Sequence, residues 1–285
     1  MKVAIVTIGR LENLYIRDFC NYYKNLGVDN IILGDNNYSE EEYFEDAIND
    51  YIRTGFVIKK DLRDKKEIQL DFYNNMLYEY YNEFNWIIFI DIDEFLFIDN
   101  YYNIKDWLSS YKYQKFLAIK VNEMHYGDSD KLYYENKPVY ERFYKPALFN
   151  IQDKISNVLI NAHIKSIIHT GLFKQIDNAE QIINHLVFKD PHNLLYLIPV
   201  CNSAGEETNN SLPFVMPISF NEAHFKHYVT KTISEFLDIK YKRGFPDGNT
   251  IMQDIGIEKY FFRVNKWTQE KQDIIDNYKK KYGKE

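Results

Sequence analysis

The chain has 285 residues, enough for one large domain or one and a half with a real core, and its 45% hydrophobic and 27% charged content is ordinary for a soluble globular protein. A formal net charge of −7 disfavours nucleic acid or an anionic membrane held by bulk charge, so a phosphorylated ligand would need local cations: a metal, a few Lys or Arg, or helix N-termini. The two cysteines, Cys20 and Cys201, stand in no metal-ligand spacing, which reads as a reducing compartment without structural disulfides.

Val3 to Ile8 is a β-branched run stopped by Gly9-Arg10, a first strand. It is too short for a signal-peptide core, and no run approaches the ~20 apolar residues of a membrane span, so the cytoplasm is the expected location. Leu11, Leu14, Tyr15, Phe19, Tyr22, Tyr23 and Leu26 recur at a helical period, with Gly27 as the cap. Val28 to Leu33 predicts a second strand, closed by Gly34-Asp35-Asn36-Asn37. Glu40 to Arg53 predicts an acidic helix and Phe56 to Lys60 a third strand. Asp64 to Phe84 predicts a long helix with Ile68, Phe72, Tyr73, Met76, Leu77 and Tyr80 on one stripe. Trp86 to Ile90, five apolar residues in succession, predicts a fourth strand covered on both faces. Strands separated by helices imply right-handed crossovers and a parallel sheet, whose loops after strands one, two and four gather along one rim. No G-x-G-x-x-G follows the first strand and no G-x-x-x-x-G-K-[ST] occurs, which argues against a dinucleotide fold and a P-loop.

The rest is organised around Asn85 to Ile98, N-W-I-I-F-I-D-I-D-E-F-L-F-I. Residues two apart in an extended chain point the same way, so Asp91 and Asp93 can converge, and close carboxylates repel unless a cation sits between them. Such triplets also arise by chance in an acid-rich chain, as Asp128-Ser129-Asp130 shows. What singles out Asp91 and Asp93 is their place after a buried strand, fourth in a β/α series. The expectation is a divalent-metal site that holds a diphosphate.

Beyond the acids, Ile104 to Tyr111 predicts a short helix, Phe116 to Val121 a strand, and Met124 to Ser129 a loop. Residues 130–190 mix short apolar runs with polar breaks, suiting a mixed or antiparallel extension, and residues 201–213 read as an exposed loop. Phe225 to Tyr228 precedes a helical stretch with Ile233, Phe236, Leu237 and Tyr241 that ends near Gly244. Thr268 to Tyr282 reads as a charged terminal helix, either solvated or a peripheral membrane or partner contact.

Several stretches run in one order over about 240 residues. They include Glu12-Asn13, Leu26-Gly27-Val28-Asp29, Asp35-Asn36-Asn37, Gln69, Tyr73-Asn74, Trp86 to Leu96 and Tyr126-Gly127-Asp128. Glu141-Arg142-Phe143, Lys165-Ser166-Ile167 and His227-Tyr228 follow, with Lys231, Glu235-Phe236 and Lys240 to Gly244. In that order they resemble bacterial glycosyltransferases of the GT-A fold, in the family-2-like and family-92-like branch. Departures are Arg10-Leu11-Glu12-Asn13 where the family often has Lys-Asn-Glu, His125 where it often has Trp, and Lys231-Thr232 where it often has Lys-Ser.

The resemblance implies an α/β, GT-A-like (Rossmann-like), mostly parallel sheet with helices on both faces and a mixed, partly helical C-terminal extension. Residues 1–125 would form the donor-binding half, 126–260 the acceptor-side half that completes the metal site, and 261–285 a helical tail. The implied reaction moves a hexose from a nucleotide diphosphate sugar, expected to be a UDP-sugar, to a glycan or lipid-linked saccharide, with inversion. Its implied setting is surface polysaccharide synthesis, capsule or lipopolysaccharide, at the inner face of the membrane. Asp93 is the expected ligand of Mn²⁺ or Mg²⁺, Asp91 touches the ribose or a metal-bound water, and His227 completes the shell. Thr7, Arg10, Glu12, Asp35 and Gln69 are donor-site candidates, and Lys231 or Arg243 meets the diphosphate. Asp128 is the expected catalytic base, with Glu94 in reserve or orienting the metal loop. As turn residues or solvated charges, several of these would look the same in sequence. Two other readings stay open: a sugar-phosphate nucleotidyltransferase, for which Thr7-Ile8-Gly9-Arg10 is too sparse a loop, and a non-catalytic carbohydrate-binding protein, consistent with 25 Tyr and 20 Phe.

Overall fold

The structure, a computed structural model, describes residues 1–148, 151–152, 158–173, 199–208, 214–244 and 256–282. Its first half alternates as expected: β1 (Val3–Gly9), α1 (Asn13–Asn25), β2 (Asn30–Asp35), α2 (Phe44–Arg53), β3 (Val57–Asp61), α3 (Gln69–Tyr80) and β4 (Trp86–Phe89). β1 lies parallel between β2 and β4, and β3 lies parallel on β2. Both faces are covered, which is why the strands carry no polar alternation. Val3 and Ile5 pack with Tyr15, Ile16 and Phe19 of α1 and Phe44 and Ile48 of α2. Ala4, Val6 and Ile8 pack on the other face with Phe72, Tyr73, Met76 and Leu77 of α3. The third helix is shorter than its stripe implied. Asp64 and Glu67 have φ of 61° and 52°, left-handed values that a right-handed helix cannot include, so the helix starts only at Gln69.

After β4 the chain turns through residues 90–93 straight into a strand that the sequence did not reveal, β5 (Glu94–Ile98). β6 (Ala118–His125), β7 (Ile164–His169), β8 (Val200–Asn202), β9 (Glu207–Thr208) and β10 (Ala223–His227) follow. The described strands form one sheet in the order β3-β2-β1-β4-β7-β6-β10-β5, with β8 also on β6 and β9 on β8. β7 runs antiparallel to both β4 and β6, and β10 runs parallel to β6 but antiparallel to β5. This is the expected α/β class, parallel strands with a mixed extension. The expected boundary at residue 125 falls at the end of β6, inside the continuous sheet.

Two expectations on loops change. Met124 and His125 belong to β6. Residues 201–213 are not all exposed loop: β8 and β9 pair as a short antiparallel hairpin with Cys201 and Asn202 buried, while 209–213 lie outside the described residues, as do 174–190 of the expected mixed region.

At the C-terminal end, Thr232 caps a helical turn, Ile233–Glu235, through a reciprocal capping box with Glu235. This runs into a π-helical segment, Phe236–Tyr241. Ile233, Phe236, Leu237 and Tyr241 form a separate core with Tyr260, Phe261 and Ile275. The terminal helix, Gln269–Tyr282, therefore packs through Ile275 and a buried Lys271 rather than standing solvated all round. Among the described residues no helix is long and apolar enough to cross a membrane.

Candidate active site at the tip of the fourth strand

The turn between β4 and β5 carries Asp91 and Asp93, and the register of the neighbouring strands decides what meets them. His227 at the end of β10 stands opposite Glu94 of β5 on one side and opposite His125 of β6 on the other. Its Nε2 lies 3.6 Å from Asp93 Oδ1, and its Nδ1 lies 2.9 Å from Glu123 Oε2. Asp93, Glu94 and His227 bring ligand atoms within 4.8 Å of one another, so the group can hold a metal ion. Lys240 from the π-helical segment reaches Asp93 Oδ2 at 3.2 Å, and Lys231 stands 3.9 Å from the same oxygen. Asp91 accepts from Lys165 at 2.7 Å and from Gln69 at 3.2 Å. Lys165 also meets Glu94 at 3.0 Å, and the Asp91 N–H donates to the other Glu94 oxygen at 3.1 Å. Gly9 at the end of β1 makes room for the turn: a Cβ there would run into the Ile92 side chain.

The electrostatics follow from burial set against these partners. Burial pushes the Asp93 carboxyl up, but Lys240, His227 and Lys231 outweigh it and hold the group well below the usual carboxylate range. Burial lowers His227, yet Asp93, Glu123 and Glu94 raise it to about 10. Burial, against Lys165 but aided by Asp91 and Glu123, holds Glu94 well above the ordinary range. Lys231 is lowered, because burial there exceeds the pull of Asp93 and Glu12. It also has φ of 55° and stands 4.3 Å above the centre of the Tyr15 ring. A non-glycine residue in that conformation costs about 1–3 kcal/mol and persists only where its surroundings impose it.

A second group adjoins along the rim. Arg243 pairs with Glu12 and donates to the Arg10 carbonyl at 3.0 Å. Arg10 itself pairs with Glu41 at 2.7 Å and lies 3.8 Å from the Tyr38 ring centre. Asp35, fully buried, accepts from Asn37 at 2.8 Å and faces Lys59 at 3.4 Å and Arg63 at 3.3 Å. Thr7 is buried in β1, and its hydroxyl has no hydrogen-bond partner among the described residues.

The structure thus gathers Asp91, Asp93, Glu94, Gln69, His227 and Lys231 at one place, with Glu12, Arg10 and Arg243 beside them. Asp128, expected as the base, lies apart from this group. Its Oδ2 faces buried Lys271 at 2.5 Å, its Oδ1 accepts from the Asp130 N–H at 2.9 Å, and its own N–H is held by Asn265. Burial raises its pKa, but the carboxylate ties a loop to the terminal helix and touches none of the rim residues named above. Glu94 is fully buried and braces Lys165 and the Asp91 backbone, the place of a residue that orients the turn. The residues that sequence reasoning left without a role are Lys165, Glu123 and Lys240. Lys165 and Glu123 are ionisable groups inside buried strands, where a charge must be paired, and that was the available signal.

Comparison with known proteins adds three findings. Residues 3–232 match the profile of glycosyltransferase family 92. No curated protein matches the chain. Solved structures similar to it include S. aureus TarS 1-349 in complex with UDP-GlcNAc, at a TM-score of 0.38 and 13% identity over 61% of this chain and 47% of that one. S. aureus TarS aligns at a TM-score of 0.41 and 12% identity, over 84% of this chain and 38% of that one. S. aureus TarS 1-349 in complex with UDP aligns at 0.43 and 11% identity, over 98% and 79%. The chain spans less than half the length of the first two.

Proposed function

The chain belongs to glycosyltransferase family 92, and on that premise we propose that it transfers a hexose from a UDP-sugar to a hydroxyl of a glycan acceptor in surface polysaccharide synthesis, with inversion and with the aid of a divalent metal. The observation that carries this reading is the pairing of an acid–imidazole ligand set with buried cations at one strand tip. Asp93 and His227 would hold the ion. Glu123, hydrogen-bonded to the far nitrogen of His227, fixes which nitrogen faces Asp93, as carboxylates do behind metal-bound histidines. An oxygen–nitrogen set suits Mn²⁺ better than Mg²⁺. When bound, such an ion neutralises the charge that builds on a departing diphosphate.

The protein's own groups account for the rest. Lys231 and Lys240 can turn from Asp93 to phosphate oxygens, and Arg243 lies at the same rim beside Arg10. In a chain of net charge −7, these local cations are what make an anionic leaving group tolerable. Asp91, about a third exposed and fixed by Lys165 and Gln69, is placed to accept from a ribose hydroxyl or a bound water. In the transfer the acceptor oxygen bonds to the anomeric carbon as the bond to the diphosphate breaks. The acceptor proton leaves to a base reachable from the rim, and the pair of Asp128 with Lys271 argues against Asp128 in that role.

The test is to incubate the chain with a panel of UDP-sugars and Mn²⁺ and to measure free UDP, with thermal unfolding run in parallel. Slow metal-dependent UDP release and a metal-dependent rise in melting temperature with UDP are expected. No release and no shift with any nucleotide sugar would overturn the reading.

A further inference from the structure

Beside the proposed transfer site, β6 and β10 carry a second set of metal-type ligands, which shares His227 with that site and adds His125, a residue the reaction does not use. Glu123 and His125 are two apart on β6 and face one side of the sheet. His227 sits directly across from His125 on the adjacent parallel strand. Ligand atoms of these three residues lie within 4.8 Å of one another: Glu123 Oε2 is 2.9 Å from His227 Nδ1 and 3.6 Å from His125 Nε2.

Two further observations point to a ligand. Asn161 Oδ1 accepts from the His125 backbone N–H at 3.1 Å, which fixes the amide's orientation, and the same oxygen lies 3.1 Å from His125 Nδ1. An amide oxygen only accepts, so Nδ1 carries the proton and Nε2 keeps its lone pair on the side of Glu123. Glu123 Oε1 is buried and has no hydrogen-bond donor among the described residues. Its cation neighbour Lys165, at 4.0 Å, is held more closely by Asp91 and Glu94.

We propose that Glu123, His125 and His227 form a binding site for a late first-row divalent cation of the Zn²⁺ type, and that filling it withdraws His227 from Asp93. Two imidazoles and a carboxylate are a set that zinc accepts, and imidazole nitrogen favours zinc over manganese and magnesium. A neutral imidazole has one lone-pair nitrogen, so His227 serves one ion at a time. Through Nδ1 it serves this site; through Nε2 it serves Asp93. Zn²⁺ here therefore antagonises the metal proposed for transfer. The antagonism rests on that proposal, whereas the Zn²⁺ site does not.

The test uses the metal alone on the full chain stripped with a chelator. Calorimetric titration should give one Zn²⁺ per chain, bound at least about 100-fold more tightly than Mn²⁺. Co²⁺ in its place should give the intense visible bands of a low-coordinate, nitrogen-containing site; a weak spectrum typical of six oxygens overturns the assignment without any variant. His125→Asn and His125→Phe should each lose the tight Zn²⁺ event while keeping the UDP–Mn²⁺ thermal shift, and Asn161→Ala should weaken Zn²⁺ by about 10- to 100-fold. Zn²⁺ should abolish the UDP–Mn²⁺ shift in the wild type and leave it in His125→Asn. No stoichiometric Zn²⁺, or equal affinity in folded His125 variants, overturns the site. A shift untouched by Zn²⁺ overturns the antagonism. Absence of the UDP–Mn²⁺ shift in every protein strikes the transfer proposal and leaves the Zn²⁺ titration to stand.

Discussion

The acids and the cations of the rim come from regions built in different ways. Asp35 and Asp91 stand at or just past the ends of parallel strands, and each strand is buried between helices by its own local pattern. The cations Lys231, Lys240 and Arg243 arrive on a segment whose position depends on partners far away in sequence. Arg142 makes a buried bidentate pair with Glu235 at 2.8 and 2.9 Å, and Tyr15 donates to the same carboxylate at 3.0 Å. Asn265 holds Thr230 and the Asp128 loop, and Lys271 closes the far side. One region is set by periodicity and the other by long-range pairs. The acid side should therefore tolerate change in the cation side, whereas the cation side has no local pattern to fall back on.

The largest expected effect lies on the acid side. Asp93→Ala should lower UDP release by about 1,000-fold, on the order of 4 kcal/mol of transition-state stabilisation, while folding stays intact. It should also remove the metal-dependent part of the UDP thermal shift. A variant that keeps that shift would move the ion away from Asp93 and break the division into an acid side and a cation side. Next comes the brace behind the cation side. Asp128→Ala leaves Lys271 buried without its partner, so urea unfolding should show a loss of about 3–5 kcal/mol, with kcat of the folded protein unchanged. A kcat loss of about 100-fold or more with an unchanged unfolding midpoint would make Asp128 the base.

The same contrast explains what the sequence disclosed. Asp91 and Asp93 were legible because an apolar run of strand length ends on them, and an α/β sheet puts its ligands there. His227, Lys231 and Arg243 came into view only through the family resemblance, since nothing near them in sequence marks a site. β5 was hidden because Phe95, Leu96 and Ile98 continue the apolar character of β4, and the intervening turn contains neither Gly nor Pro. The setting of Asp128 was hidden for the opposite reason. A loop aspartate advertises chemistry, but Lys271, which occupies it, lies on a helix that local reasoning cannot bring near.

Lys240→Met separates binding from architecture on the cation side. The residue makes a charge-assisted contact to Asp93 from within the π-helical segment. KM for the UDP-sugar should rise about 10- to 100-fold, as loss of an ion-assisted hydrogen bond implies, with little change in melting temperature. If instead kcat falls at constant KM, Lys240 acts only as charge builds on the leaving group, and the cation side shares the chemistry rather than serving binding alone.

The smallest effect should have the opposite sign for stability, and it tests the cation side most directly. Lys231 holds a left-handed backbone that favours Asn or Gly, and its ammonium sits where burial outweighs the attraction of Asp93 and Glu12. Folding therefore receives no reward from this lysine. Lys231→Asn keeps a residue that tolerates the backbone and removes a poorly compensated buried charge. Thermal unfolding should rise by about 1 kcal/mol while the KM for the donor increases. If Lys231→Asn unfolds more easily than the wild type, the lysine belongs to the architecture through Tyr15 and Asp93. The cation side would then be held together by its charges, as the buried Arg142–Glu235 pair already is, and not merely decorated with them.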